Sequence, residues 1–160
     1  MKLSHSLIGL SFLLLAACTG GSPTAVYINE ICGKDSAAGD WIELYNPSNL
    51  PVDLSGYYLL KTDEDGLDFT LYEFPDGQQI GASEFLVVSQ LADDLERKIS
   101  HKKEVGIELV NRHDKTVDQF YRDDEVGDTA HPVGGSYARQ PDGTGPWHIA
   151  KRATPGEPNS

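Results

Sequence analysis

Asp40-Trp41-Ile42-Glu43-Leu44-Tyr45-Asn46-Pro47 is the stretch from which the fold is read. Apolar and polar residues alternate from Trp41 to Tyr45, the period of a β-strand with two unlike faces. The alternation stops at Asn46-Pro47-Ser48-Asn49. Proline fixes φ there, and the short Asn and Ser side chains bond nearby backbone, so the chain turns. Ile42 and Leu44 are expected to face a core, with Glu43 on the other face.

Outward from this strand the same grammar repeats. Val26-Tyr27-Ile28-Asn29-Glu30-Ile31 reads as a strand whose apolar register slips at Ile31, which predicts a bulge or sharp twist. Asp53-Leu54-Ser55-Gly56 turns the chain into Tyr57-Tyr58-Leu59-Leu60. Leu67, Phe69 and Leu71 alternate after a polar hairpin tip at Asp63–Gly66 and end at Phe74-Pro75-Asp76-Gly77. Phe85-Leu86-Val87-Val88 is continuously apolar and reads as a strand buried on both faces. Leu91, Leu95 and Ile99 fall at helical spacing and predict the one short helix. Gly106–Val110 and Thr116–Tyr121 flank Asn111-Arg112-His113-Asp114 as a hairpin, and Ser136–Arg139 is the last strand. Short strands with turns every ~8–12 residues predict a β-sandwich.

Asp40–Pro47 followed by Asp53-Leu54-Ser55-Gly56-Tyr57 resembles the opening half of the lamin-tail domain found in bacterial secreted proteins. Phe74–Gly77 fits the middle turn of that family. Ser136-Tyr137-Ala138-Arg139-Gln140-Pro141-Asp142-Gly143-Thr144-Gly145-Pro146-Trp147 and Ala153–Asn159 are similar to its closing signature. The resemblance runs from about Val26 to Asn159 in the family's order. It implies an all-β, immunoglobulin-like sandwich of lamin-tail type with at most one short helix. It implies interaction or docking as the role, and it brings no catalytic residues.

Residues 1–17 have the layout of a secretory leader: Lys2, an apolar run from Leu7 to Leu15, then small residues. That run is short of the roughly 20 residues a membrane span needs. Leu15-Ala16-Ala17-Cys18 resembles the lipobox of bacterial lipoproteins, in which the cysteine receives a diacylglyceryl group and the new amino terminus is usually acylated, for instance with palmitate. Two or more acyl chains hold a protein durably at a bilayer, whereas one holds marginally. Residues 18–24 are then the lipidated cysteine and a flexible spacer, and 25–160 the domain. Thr19 is not the aspartate that commonly retains such proteins at the inner membrane, which points to the outer membrane of the cell envelope.

The 160 residues carry 25 acids against 13 lysines and arginines, a net charge of −12. That balance lacks the basic footprint of a nucleic-acid binder and is repelled by anionic lipid headgroups, so the membrane contact is expected through Cys18 alone. With Cys18 lipidated, no second cysteine is left to form a disulfide with Cys32, which reads as a small buried hydrophobe.

Candidate chemistry is sparse. Asp63, Asp65 and Asp68 alternate around Gly66, and Asp123 and Asp124 form a second acidic cluster with Glu125 and Asp128. Either could supply hard oxygens to Ca²⁺, although the position that would close an EF-hand is Phe74. No catalytic set is assigned, and no cofactor beyond that calcium. Trp41, Tyr45, Tyr58 and Trp147 are candidates for a ligand-contact platform. Arg139 is expected to pair with Asp142 or stack near Trp147, while Asn46 and Asp53 satisfy turn backbone. The expected function is a lipid-anchored, non-catalytic interaction module that binds an envelope protein or surface polymer. The alternatives are a carbohydrate-binding lipoprotein using exposed aromatics and a metal-assisted envelope hydrolase.

Overall fold

The computed structural model describes residues 26–33, 39–92, 94–100, 103–123 and 130–160. The leader, Cys18, its spacer and Asp124 lie outside the described residues, as do Glu125 and Asp128.

Eleven strands are present among the described residues. They are β1 (Tyr27–Cys32), β2 (Trp41–Tyr45), β3 (Val52–Asp53), β4 (Tyr58–Thr62), β5 (Asp68–Glu73) and β6 (Gln79–Ile80), then β7 (Phe85–Ser89), β8 (Val105–Val110), β9 (Thr116–Arg122), β10 (Ser136–Arg139) and β11 (Trp147–Ala150). One five-stranded sheet runs in the order β11-β10-β1-β2-β7 and a four-stranded sheet in the order β5-β4-β8-β9, with β3 and β6 forming a small ribbon. All pairings are antiparallel. Each sheet must bury its apolar face, and the two do so against each other. Ile28, Ile31, Ile42 and Leu44 from one sheet meet Leu59, Leu71, Ile107 and Leu109 from the other in a single core. The architecture is an immunoglobulin-like sandwich, as the turn spacing predicts.

The slip in β1 is a one-residue bulge at Asn29: Ile28 pairs with Leu44 while Glu30 pairs with Glu43. The extra residue lets Ile28 and Ile31 both enter the core, and both are fully buried. Glu43 points away from the core as alternation predicts. Its far face is not water, however, because the C-terminal segment lies over it.

Several expectations are corrected. Phe85–Ser89 is not buried on both faces; β7 is the sheet edge, and only Val88 of the strand is buried. The amphipathic helix is reduced to a 3₁₀ turn at Gln90–Ala92. Leu95 and Ile99 still enter the core, carried by irregular backbone. Leu67 lies in the hairpin turn and is exposed, so only Leu71 of its alternating set is interior. Ser136–Arg139 is not the last strand, because Trp147–Ala150 follows it and pairs with β10.

The sheets are also joined by charge. Asp118 of β9 accepts from the backbone N–H of Ile28 (2.9 Å) and from Arg139 Nη2 with both carboxylate oxygens (3.0 and 3.2 Å). Arg139 Nε donates in turn to Ile28 O (2.9 Å) and its guanidinium lies 4.6 Å from the centre of the Trp147 ring. The arginine therefore stacks on Trp147 as expected, but its ion pair is with Asp118 and not Asp142. Burial outweighs the guanidinium at Asp118 and holds its pKa above the ordinary value. Replacing Asp118 by alanine leaves a mostly buried cation and a backbone donor without their acceptor. Loss of about 3 kcal/mol in urea-unfolding free energy is expected.

Candidate functional site

Two places concentrate unsatisfied or desolvated chemistry, one on each side of the five-stranded sheet. On the outer face, Glu30 of β1 stands opposite Glu43 of β2, and both are fully buried. Among the described residues no cationic side chain bonds either one. Their partners are backbone and neutral groups, chiefly from the last residues of the chain. Glu30 accepts from Thr154 N (3.1 and 3.2 Å), from Thr154 Oγ1 (3.1 Å) and from the Ser136 hydroxyl. Glu43 accepts from Gly156 N (2.6 Å) and Asn29 Nδ2 (2.9 Å).

Asn29, exposed by the bulge toward this face, also donates to Asp142 Oδ1 (3.0 Å) and accepts from Gly143 N (2.7 Å). Gly143 has φ +76°, and a Cβ there would stand 3.1 Å from the Tyr45 ring, so the Asp142-Gly143 turn needs glycine twice over. Asn159 completes the set, donating to Arg139 O (2.9 Å) and Asn29 O (3.3 Å) while its own N–H donates to Asp142 Oδ1 (3.1 Å). The arrangement is a clasp: two sheet carboxylates hold the segment Thr154–Asn159 against β1 and β2. Desolvation raises both acids, Glu43 to about 7, and the neighbouring Glu30 and Asp142 charges add to the rise at Glu43.

The second place is the inner face of β11. Because the five-stranded sheet faces one of only four strands, β9 reaches over β1 and β10 and leaves β11 overhanging. Trp147 still packs edge-on against Phe120 (4.8 Å). Ile149, paired with the inward-facing Tyr137, is 46% exposed. An open, largely apolar cleft of about 230 Å³ results, lined by Phe120, Tyr121 and Arg122 of β9, Tyr137 of β10, and Trp147 and Ile149 of β11. Arg122 is buried, and its Nη1 donates to Tyr137 Oη (3.1 Å). Its Nε and Nη2 have no hydrogen-bond partner.

The residues singled out in sequence are dispersed. Asp63 Oδ1 accepts from the N–H groups of Asp65 and Leu67 (3.0 Å each), and Asp68 accepts from Thr62 Oγ1 (2.8 Å). These bonds shape the hairpin tip, and Glu64 beside them pairs with Lys103. Asp123 is half-buried at the end of β9. Among the described residues no three His, Cys, Asp or Glu side chains converge in a group that could hold a metal. Trp41 is interior, at 1% exposure, so it can take no part in a surface platform. Tyr45 stacks on Phe85 (4.6 Å) and Tyr58 donates to Asp114 (3.3 Å) on the other sheet. Trp147 alone of the set borders a cleft. Asn46 and Asp53 hold turns as expected: Asn46 Nδ2 donates to Leu50 O and Gly81 O (2.8 Å each), and Asp53 Oδ1 accepts from Ser55 N (2.9 Å).

Sequence reasoning missed Glu30, Glu43 and Arg122. For Glu43 the alternation gave the face but not its cover. For Arg122, phasing β9 on Phe120 would have placed residues 118 and 122 inward, but Val117 and Tyr121 support the opposite phase equally.

A two-sheet immunoglobulin-like module with its polar network devoted to holding its own tail is the class that the fold and these sites define. The family model of the Lamin Tail Domain matches residues 20–124, more than half of the chain, and the chain belongs to that family. The matched span ends before β10; the clasp ties the closing segment to strands inside it. No curated protein matches the chain.

A carboxyl whose folded-state pKa stands above its unfolded value binds its proton more tightly when folded. The folded state is therefore favoured below about pH 4.5, the ordinary value for Glu43, and that advantage is lost as pH rises through 7. Unfolding free energy should fall across this window, with Glu43 contributing on the order of 3 kcal/mol. Glu43→Gln should flatten the fall while costing one N–H···O contact at every pH, which urea titrations at stepped pH will read out. Asn159→Ala, which strips two donors from the clasp, should lower stability by about 2 kcal/mol.

Proposed function

We propose that this chain is a lipid-anchored, non-catalytic interaction module of the cell envelope, displayed at the outer membrane and binding another protein through the open side of its sandwich. The observation that carries the reading is the overhang of β11. Ile149 and Tyr121 are exposed beside a cleft in a chain otherwise strongly acidic at its surface, and an apolar patch rimmed by polar residues marks an interaction site. Membership of a family of non-catalytic immunoglobulin-like modules supports the same reading. Glu30 and Glu43, the two acids paired across β1 and β2, are covered by Thr154 and Gly156 and so are closed to a substrate. A protein partner suits the cleft better than a sugar, because Trp147 already gives one ring face to Arg139.

Leu15-Ala16-Ala17-Cys18 supports the anchor. Full-length protein should fractionate with membranes, with a diacylglyceryl-modified Cys18 by mass spectrometry, and Cys18→Ala should abolish the modification. Crosslinking in intact cells should then recover a defined envelope partner. A reproducible turnover of envelope substrates, with no partner recovered, would reverse the proposal.

A further inference from the structure

Arg122 is an anomaly in this protein. Acids outnumber bases nearly two to one, and the mostly buried guanidinium of Arg139 has the carboxylate of Asp118 on its Nη2. Arg122 is 6% exposed, yet among the described residues it has no carboxylate partner. Its one hydrogen bond is from Nη1 to the Tyr137 hydroxyl, whose ring centre lies 5.8 Å from the guanidinium carbon. Nε and Nη2 together form the flat side of the fork that receives a carboxylate in two parallel bonds. A buried cation left in this state is destabilising for the free chain. It lines a cleft whose other walls are Phe120, Tyr121, Tyr137, Trp147, His148 and Ile149, beside a four-stranded sheet one strand narrower than the sheet it faces.

We infer that the cleft is a receptor for an extended segment of a partner protein, which adds along the edge of β9 that pairs with no strand among the described residues, covers Ile149 and Trp147 with an apolar side chain, and delivers a carboxylate to Nε and Nη2 of Arg122. The inference rests on the proposed interaction role and names its partner's chemistry. An added strand beside β9 lies over β11, so one event supplies the missing fifth strand of the facing sheet and the missing counter-ion. Edge-strand addition gives affinity through main-chain bonds and selectivity through the side chains it buries. The recognised ligand is thus an apolar residue next to a carboxylate, the C-terminal group of the partner. The overall negative charge of the chain slows approach of such a ligand at low salt, so its association should quicken as salt screens the repulsion.

The experiment uses the full-length chain in detergent micelles and a short valine- and threonine-rich peptide ending in phenylalanine, prepared as the free acid and as the C-terminal amide. The free acid should shift the Arg122 Nε–H and Trp147 Nε1–H resonances and bind about tenfold tighter than the amide, a difference of roughly 1.4 kcal/mol. Arg122→Met should erase the preference and raise Tm, since it removes a buried charge without a counter-ion. A residue with a merely structural role would lower Tm on the same change. Ile149→Asp, at an exposed position that does not threaten folding, should weaken both peptides.

Equal binding of acid and amide, or no shift at Arg122 with either, overturns the inference. So does a shift of the Arg122 resonance on neutralising Asp124, Glu125 and Asp128 with no response to peptide, which would make the chain's own acidic segment the partner. Undiminished capture of an envelope partner by both Arg122→Met and Ile149→Asp would sink the cleft while leaving the interaction role standing.

Discussion

Two glutamates with no counter-ion among the described residues, pressed between a sheet and the end of the chain, organise this molecule. A desolvated carboxylate is tolerable only when donors surround it, and here the donors are largely backbone N–H groups of a segment that has no strand of its own. Glu30 and Glu43 need Thr154 and Gly156 as much as those residues need an acceptor. The outer face of β1 and β2 is therefore closed by polar bonds, whereas the inner face is closed by apolar packing. The bulge at Asn29 makes both possible, because it rotates the strand so that core residues and clasp residues each find their side.

The same sheet explains the asymmetry between the two ends of the sandwich. Toward β7 the facing strands and the irregular segment through Leu95 and Ile99 cover the core. Toward β11 the cover stops at β9, and an inward-facing side chain meets water. Asp118 and Arg139 secure the boundary just inside that point. The boundary has a physical reason: the mostly buried Asp118–Arg139 pair, with both partners also bonded to the Ile28 backbone, ties β9 to β1 and β10.

The architecture was legible where one signal dominated. Trp41–Tyr45 with its Asn46-Pro47 stop gave a strand and its core face, and the Asn111–Asp114 turn gave a hairpin. Legibility failed where an element's role depends on a distant neighbour. Phe85–Val88 carries four apolar residues in a row and reads as central, yet edge position is decided by pairing order, which no local pattern encodes. Leu95 and Ile99 are core residues as their apolarity suggests, but charged neighbours and tertiary packing left no helix around them. The clasp was invisible because its two halves are more than a hundred residues apart and each half looks like ordinary surface: a single glutamate in a strand, and a proline- and glycine-rich tail. Arg122 was missed for the related reason that both phases of β9 are equally apolar.

The direction of β1 has a bearing on geometry at the cell surface. The described chain begins at Val26, and β1 runs from Tyr27 to Cys32, about 20 Å at the usual rise per residue. Tyr137, which bonds Arg122, pairs with Ile31 near the far end of that strand. The guanidinium therefore lies toward the end of β1 opposite the one at which the chain enters the domain, and a tether at Cys18, as proposed, would attach at the entering end. On that arrangement an incoming polypeptide would reach the cleft from the side away from the point of attachment.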